Sequence, residues 1–130
     1  MTPPLVAALY AGLNGLILVW LVYEVVKRRR DGSIVLGDGG DPEMTKAIRG
    51  HANAAETMPM ALVMLTLAEL IGAPTVALHA AGAVFTVGRL LHALHFTGRA
   101  SARFRMYGMA SSLTAMGVLA LGLVAHAIVG

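Results

Sequence analysis

Residues Pro4–Arg30 read PLVAALYAGLNGLILVWLVYEVVKRRR. Up to Val26 the stretch is apolar except for Asn14 and Glu24. A helix crosses a bilayer in about 20 residues, so the run is long enough to span one. The cations Lys27, Arg28, Arg29 and Arg30 end it. A secretory signal peptide carries its cations before the apolar core, and none precede this one. Trp20 and Tyr23 stand near the end of the run, where aromatic rings meet a membrane–water boundary.

The rest of the composition agrees. The chain has 130 residues, 57% of them hydrophobic and 13% charged, and its mean hydropathy is +0.72. That is too apolar for an ordinary soluble domain. The length suits a single bundle of residues 1–130. Absence of cysteine excludes a disulfide framework, a thiolate metal site and a cysteine nucleophile. Five dispersed histidines do not make a metal site. A pI near 9.8 raises nucleic acid as a partner, but basic loops of a membrane protein give the same value. All ten cations fall into two groups: Lys27, Arg28, Arg29, Arg30, Lys46 and Arg49, and then Arg89, Arg99, Arg103 and Arg105. The positive-inside rule places the first and third loops in the cytoplasm, with the second loop and both termini outside.

Four helices follow from this pattern, giving an all-α membrane protein. After the first, Asp31 to Gly40 reads as a loop. Asp41-Pro42-Glu43 starts a second helix: Asp41 caps, Pro42 suits the first turn and Glu43 complements the macrodipole. It runs to about Ile71, with Pro59 inside it, and Gly72-Ala73-Pro74 ends it. A third helix spans about Thr75 to Phe96, and a fourth about Arg103 to Ile128. Gly82, Ala83 and Gly88, and then Ser111, Ser112, Ala115 and Gly117, read as sites of close helix approach.

Arg49, Asn53 and Glu56 stand at i, i+4 and i+7 and share one face of the second helix. A polar stripe entering an apolar helix is costly unless it is used. Arg89 and His92 on the third helix, Arg103 and Arg105 on the fourth, and Lys27 and Arg28 on the first approach the same end. Cations outnumber carboxylates there, so an anionic ligand fits. Glu56 reads either as a ligand contact or as the ion-pair partner of Arg89. His92 reads as a packed histidine or a ligand contact, and Lys27–Arg30 as a contact with lipid headgroups.

Arg49-x-x-x-Asn53-x-x-Glu56 early in the second of four helices resembles the motif of the MAPEG family, the membrane-associated proteins of eicosanoid and glutathione metabolism. Gly37-Asp38-Gly39-Gly40-Asp41-Pro42-Glu43 is similar to bacterial members, and Gly88-Arg89-x-x-His92 to the family's third helix. The resemblance implies a homotrimer that binds glutathione as co-substrate between subunits. It implies that Arg49, Asn53 and Glu56 hold the tripeptide, Glu56 taking the γ-glutamyl ammonium, with His92 a further contact and Lys27 or Arg28 reaching in from a neighbour. Arg105, with Arg103 close by, matches the arginine that stabilises the thiolate. A hydrophobic electrophile or lipid hydroperoxide then arrives from the bilayer. Ala52 replaces a residue that is basic in some mammalian members, and Phe96, Met106 and Met109 replace tyrosine or serine positions of family enzymes, Tyr107 being out of register. Two other functions compete: a non-catalytic scaffold or lipid-binding protein of the same fold, and a small multidrug-type transporter. The transporter needs a carboxylate within the first helix, where only Asn14 and the late Glu24 stand.

Overall fold

The computed structural model describes residues 2–130. It contains four helices, α1 (Leu5–Gly32), α2 (Pro42–Leu70), α3 (Thr75–Phe96) and α4 (Ala102–Val129), and no strand among the described residues. Contacts between helix ends show that they run up and down. The start of α1 meets Glu69 at the end of α2. The end of α1 meets Thr97 after α3, and Gly88 late in α3 meets Gly108 early in α4. Both groups of cations therefore lie at one end of the bundle, called the basic end below.

α1 continues two turns past Val26 and takes in the whole cation cluster and Gly32. Arginine is a good helix former, and cations in the last turn complement the negative end of the macrodipole. Ser33 closes the helix in a left-handed conformation, its N–H reaching the carbonyls of Arg29 and Arg30. The loop therefore begins at Ser33, not Asp31. At the start of α2 the Asp41 carboxylate accepts from the Glu43 N–H at 3.0 Å, with Pro42 in the first turn. In the loop before it, Asp38 accepts from the Thr45 hydroxyl at 2.6 Å and the Gly40 N–H at 2.9 Å. These two bonds hold the Asp38 carboxyl below its ordinary pKa.

Three helices are long and apolar enough to cross a membrane: α1, α3 and α4. The fourth, α2, has 29 residues, but its first half carries Glu43, Lys46, Arg49, Asn53 and Glu56. Its second half is packed into the bundle through Met58, Ala61 and Leu65. Two apolar clusters fill the interior. One joins Leu21, Ala54, Met58, Phe85 and Ala115; the other, at the end away from the cations, joins Ala7, Tyr10, Leu65, Leu78 and Leu119. Large apolar residues such as Leu16, Val118 and Leu121 face outward, as a lipid-facing surface requires.

Small residues set the helix spacing, but not all of those expected. A Cβ on Gly108 falls 2.6 Å from the Gly88 carbonyl and from the His92 backbone nitrogen, so α3 and α4 touch backbone to backbone there. Gly82 is covered by the Tyr10 ring. Gly117 faces open space and Ala83 is exposed; neither packs a helix, while Gly108 does. Overpacking typically costs about 1–3 kcal/mol. Gly108→Ala is therefore expected to lower the thermal midpoint in detergent, and Gly117→Ala to leave it unchanged or raise it slightly.

At the end away from the cations, α1 has no side-chain cap of its own, since Pro4 stands at the cap position. The Glu69 carboxylate supplies it, accepting from Val6 N–H at 3.0 Å and Ala7 N–H at 2.7 Å. A helix N-terminus in apolar surroundings needs such acceptors. Close by, the Tyr10 hydroxyl lies 3.0 Å from His79 Nδ1 and donates to the His79 carbonyl at 3.2 Å.

Candidate functional site

A cleft of about 520 Å³ opens at the basic end between α2, α3 and α4. Helical spacing builds it. Arg49 and Asn53 on α2 are one turn apart, as are His92 and Phe96 on α3. Arg105, Met109 and Leu113 follow at successive turns of α4, with Met106 and Ala110 beside them. The lining is thus part cationic and polar, with a contribution from each of the three helices, and part apolar, mostly from α4. His92 is buried, with its ring stacked on Phe96 at 4.5 Å.

Four of the seven residues named from the sequence meet in this cleft: Arg49, Asn53, His92 and Arg105. Two α4 arginines were left open by the sequence. Arg105 lines the cleft and Arg103 does not, because two residues at about 100° each turn a side chain to the other side of a helix. Glu56 is exposed and outside the cleft, and so is Lys27. Arg28 is engaged elsewhere: Nη1 lies 3.4 Å from Glu24 Oε2, and Nη2 donates to the Thr97 carbonyl at 3.0 Å.

An ion pair between Glu56 and Arg89 is not formed. Arg89 is only 1% exposed. Its Nη1 donates to Asn53 Oδ1 at 2.6 Å and Thr57 Oγ1 at 3.1 Å, and its Nε donates to Ser112 Oγ at 2.9 Å. Asn53 and Thr57 are one turn apart on the face of α2 that meets α3, whereas Glu56 is turned about 100° away from Thr57. Among the described residues no carboxylate lies within ion-pair distance of Arg89.

Glu24 is the residue that sequence reasoning undervalued. It is 5% exposed. It meets Arg99 Nη2 at 2.9 Å, Arg28 Nη1 at 3.4 Å and the Trp20 indole N–H at 3.2 Å, with Arg99 lying over the Trp20 ring. This clamp ties the end of α1 to the turn that launches α4, and so to Arg105. The spacing Trp20-x-x-x-Glu24-x-x-x-Arg28 was a readable signal for part of it. Glu24 is therefore committed to its neighbours, and Asn14 to the Tyr10 carbonyl and Thr86 hydroxyl, which gives a proton-coupled transporter no free carboxylate in the apolar run of α1 up to Val26.

An apolar helical bundle with a half-cationic, half-apolar cleft at its basic end defines a class of integral membrane protein. The chain belongs to the MAPEG family, whose profile matches residues 7–125. It is 38% identical to the inner membrane protein YecN of Escherichia coli K12 over 117 residues, covering 90% of this chain and 88% of that protein. YecN of the E. coli O6:H1 strain CFT073 matches to the same extent.

Replacing Glu24 by Gln leaves two arginines facing a neutral amide. Hydrogen bonds to charged groups are worth about 1.5–3 kcal/mol. Glu24→Gln should lower the thermal midpoint and speed proteolytic cleavage after Arg99 or Arg103. An unchanged cleavage rate would show that the clamp does not hold the turn.

Proposed function

We propose that this protein is a glutathione-dependent membrane transferase or peroxidase that works as a homotrimer. The observation that supports this most is a cleft of mixed lining, with Arg49, Asn53 and Arg105 beside Phe96, Met106, Met109 and Leu113. Glutathione carries two carboxylates, an ammonium and a thiol. The arginines and the Asn53 amide suit its carboxylates and peptide oxygens. In this reading Glu56, exposed on a single chain, takes the ammonium at the boundary with a neighbouring subunit, and Lys27, exposed on α1, is the basic contact that reaches in from that neighbour. The basic end then faces the cytoplasm, where glutathione reaches it.

The chemistry needs a thiolate. A free thiol has a pKa of about 8.5, and a guanidinium beside it favours the anion. Arg105 is the guanidinium in the cleft for that task. The thiolate attacks an electrophilic carbon, forming the S–C bond as the leaving group departs. With a lipid hydroperoxide it attacks the terminal oxygen, and the lipid alkoxide leaves as an alcohol after taking a proton. A second glutathione then displaces hydroxide from the sulfenic acid and gives the disulfide. The apolar part of the cleft lining suits substrates dissolved in lipid.

A non-catalytic role in the same fold is the second reading. It is favoured by the presence of Phe96, Met106 and Met109 in the cleft, where residues of family enzymes offer hydroxyls. Calorimetry and stopped-flow absorbance separate the two. The transferase reading expects millimolar or tighter glutathione binding, weakened about tenfold by Arg49→Ala, the effect of losing one charge-assisted hydrogen bond. It also expects a thiolate signal near neutral pH that Arg105→Ala abolishes and Arg103→Ala leaves. Bound glutathione with a protonated thiol supports the non-catalytic role; no binding by folded protein at millimolar glutathione overturns the transferase reading and leaves the non-catalytic one.

A further inference from the structure

Arg89 is a buried cation with no carboxylate in reach, and its Nη2 has no hydrogen-bond partner among the described residues. Such a charge is expensive in an apolar bundle, so its surroundings repay attention. A guanidinium only donates. The 2.6 Å contact from its Nη1 must therefore be to the oxygen of the Asn53 amide. The hydroxyls beside it are fixed in the same sense. Thr57 Oγ1 gives its proton to the Asn53 carbonyl at 2.8 Å, and Ser112 Oγ gives its own to the Gly108 carbonyl at 2.7 Å, which leaves both as acceptors for Arg89. With Oδ1 taken, Asn53 keeps its N–H2 group, which has no partner among the described residues, and Asn53 lines the cleft.

We infer that Arg89 is a positioning residue that locks the Asn53 amide with its N–H2 group available to the cleft, so that the polar groups α2 and α4 present to the cleft, Arg49, Asn53 and Arg105, are all donors. Arg49 and Arg105 are donors by nature; Asn53, which alone could swing either way, is made one by Arg89. The group recognised there is anionic and rich in acceptors, a carboxylate, and not an ammonium. The uncompensated charge of Arg89 adds to the pull on that anion across one residue. The identity of the ligand rests on the glutathione reading above; the lock itself does not.

The test uses full-length protein in detergent or nanodiscs, with thermal unfolding and glutathione calorimetry on the same samples. Asn53→Asp puts a carboxylate against Arg89 and removes the donor. It should raise the thermal midpoint by several degrees and weaken glutathione binding at least as much as Asn53→Leu. Opposite signs on stability and binding are not expected of a merely structural residue. Arg89→Met should weaken binding about tenfold, with little further loss when Asn53→Leu is added, and Arg89→Lys, which keeps one donor for Oδ1, should retain more affinity than Arg89→Met. A lower midpoint in Asn53→Asp shows that the side chain at 53 does not face Arg89 and overturns the proposal. So does a folded Arg89→Met protein that binds as tightly as the wild type. If wild-type protein binds no glutathione, the ligand reading fails, and the sign of the Asn53→Asp shift still decides the lock.

Discussion

The Arg89 guanidinium reaches Asn53 and Thr57 on α2 and Ser112 on α4 from its seat on α3. A charge of this size cannot be left without acceptors in an apolar interior. The acceptors must therefore face it, and that fixes how α2 and α4 are rotated about their axes. The same rotation brings Arg49 and Arg105 into one cleft with His92. The cleft is thus a consequence of satisfying one side chain. Gly88 and Gly108 make this possible, because their missing Cβ atoms let α3 and α4 come close enough for Ser112 to bond the arginine.

Polar contacts at the two ends complete the frame, and apolar packing fills the middle. At one end Glu69 closes the N-terminus of α1 from a different helix, and Tyr10 engages His79. At the other, Glu24 draws together Trp20, Arg28 and Arg99. In both cases a carboxylate neutralises charge or partial charge near a helix end. Arg89 differs from these. It has hydrogen bonds without a counter-charge, so it joins α2, α3 and α4 through neutral acceptors alone.

Much of the fold was legible because its signals are local. The ends of α3 are those read from the sequence, and the Asp41-Pro42-Glu43 start of α2 has the expected cap. The end of α1 was misread because the cation cluster looked like a stop, when to a helix C-terminus it is favourable. The site was partly legible. Periodicity alone put Arg49 and Asn53 on one face, and the charge distribution brought His92 and Arg105 to the same end. The Glu56–Arg89 pair and the engagement of Arg28 could not be judged that way, since each depends on a neighbour distant in the chain.

The sequence by itself determined the number of helices, the gathering of the cations at one end and the residues that share each helical face. Those follow from hydropathy, capping and a repeat of 3.6 residues, which belong to the chain. Only the tertiary structure decided which faces meet. It gave Arg89 to Asn53 rather than Glu56, Arg28 to Glu24, and the cleft to Arg105 rather than Arg103. The reason is physical: helical periodicity says which side chains point together, while the rotation of each helix is set by contacts between residues far apart in sequence.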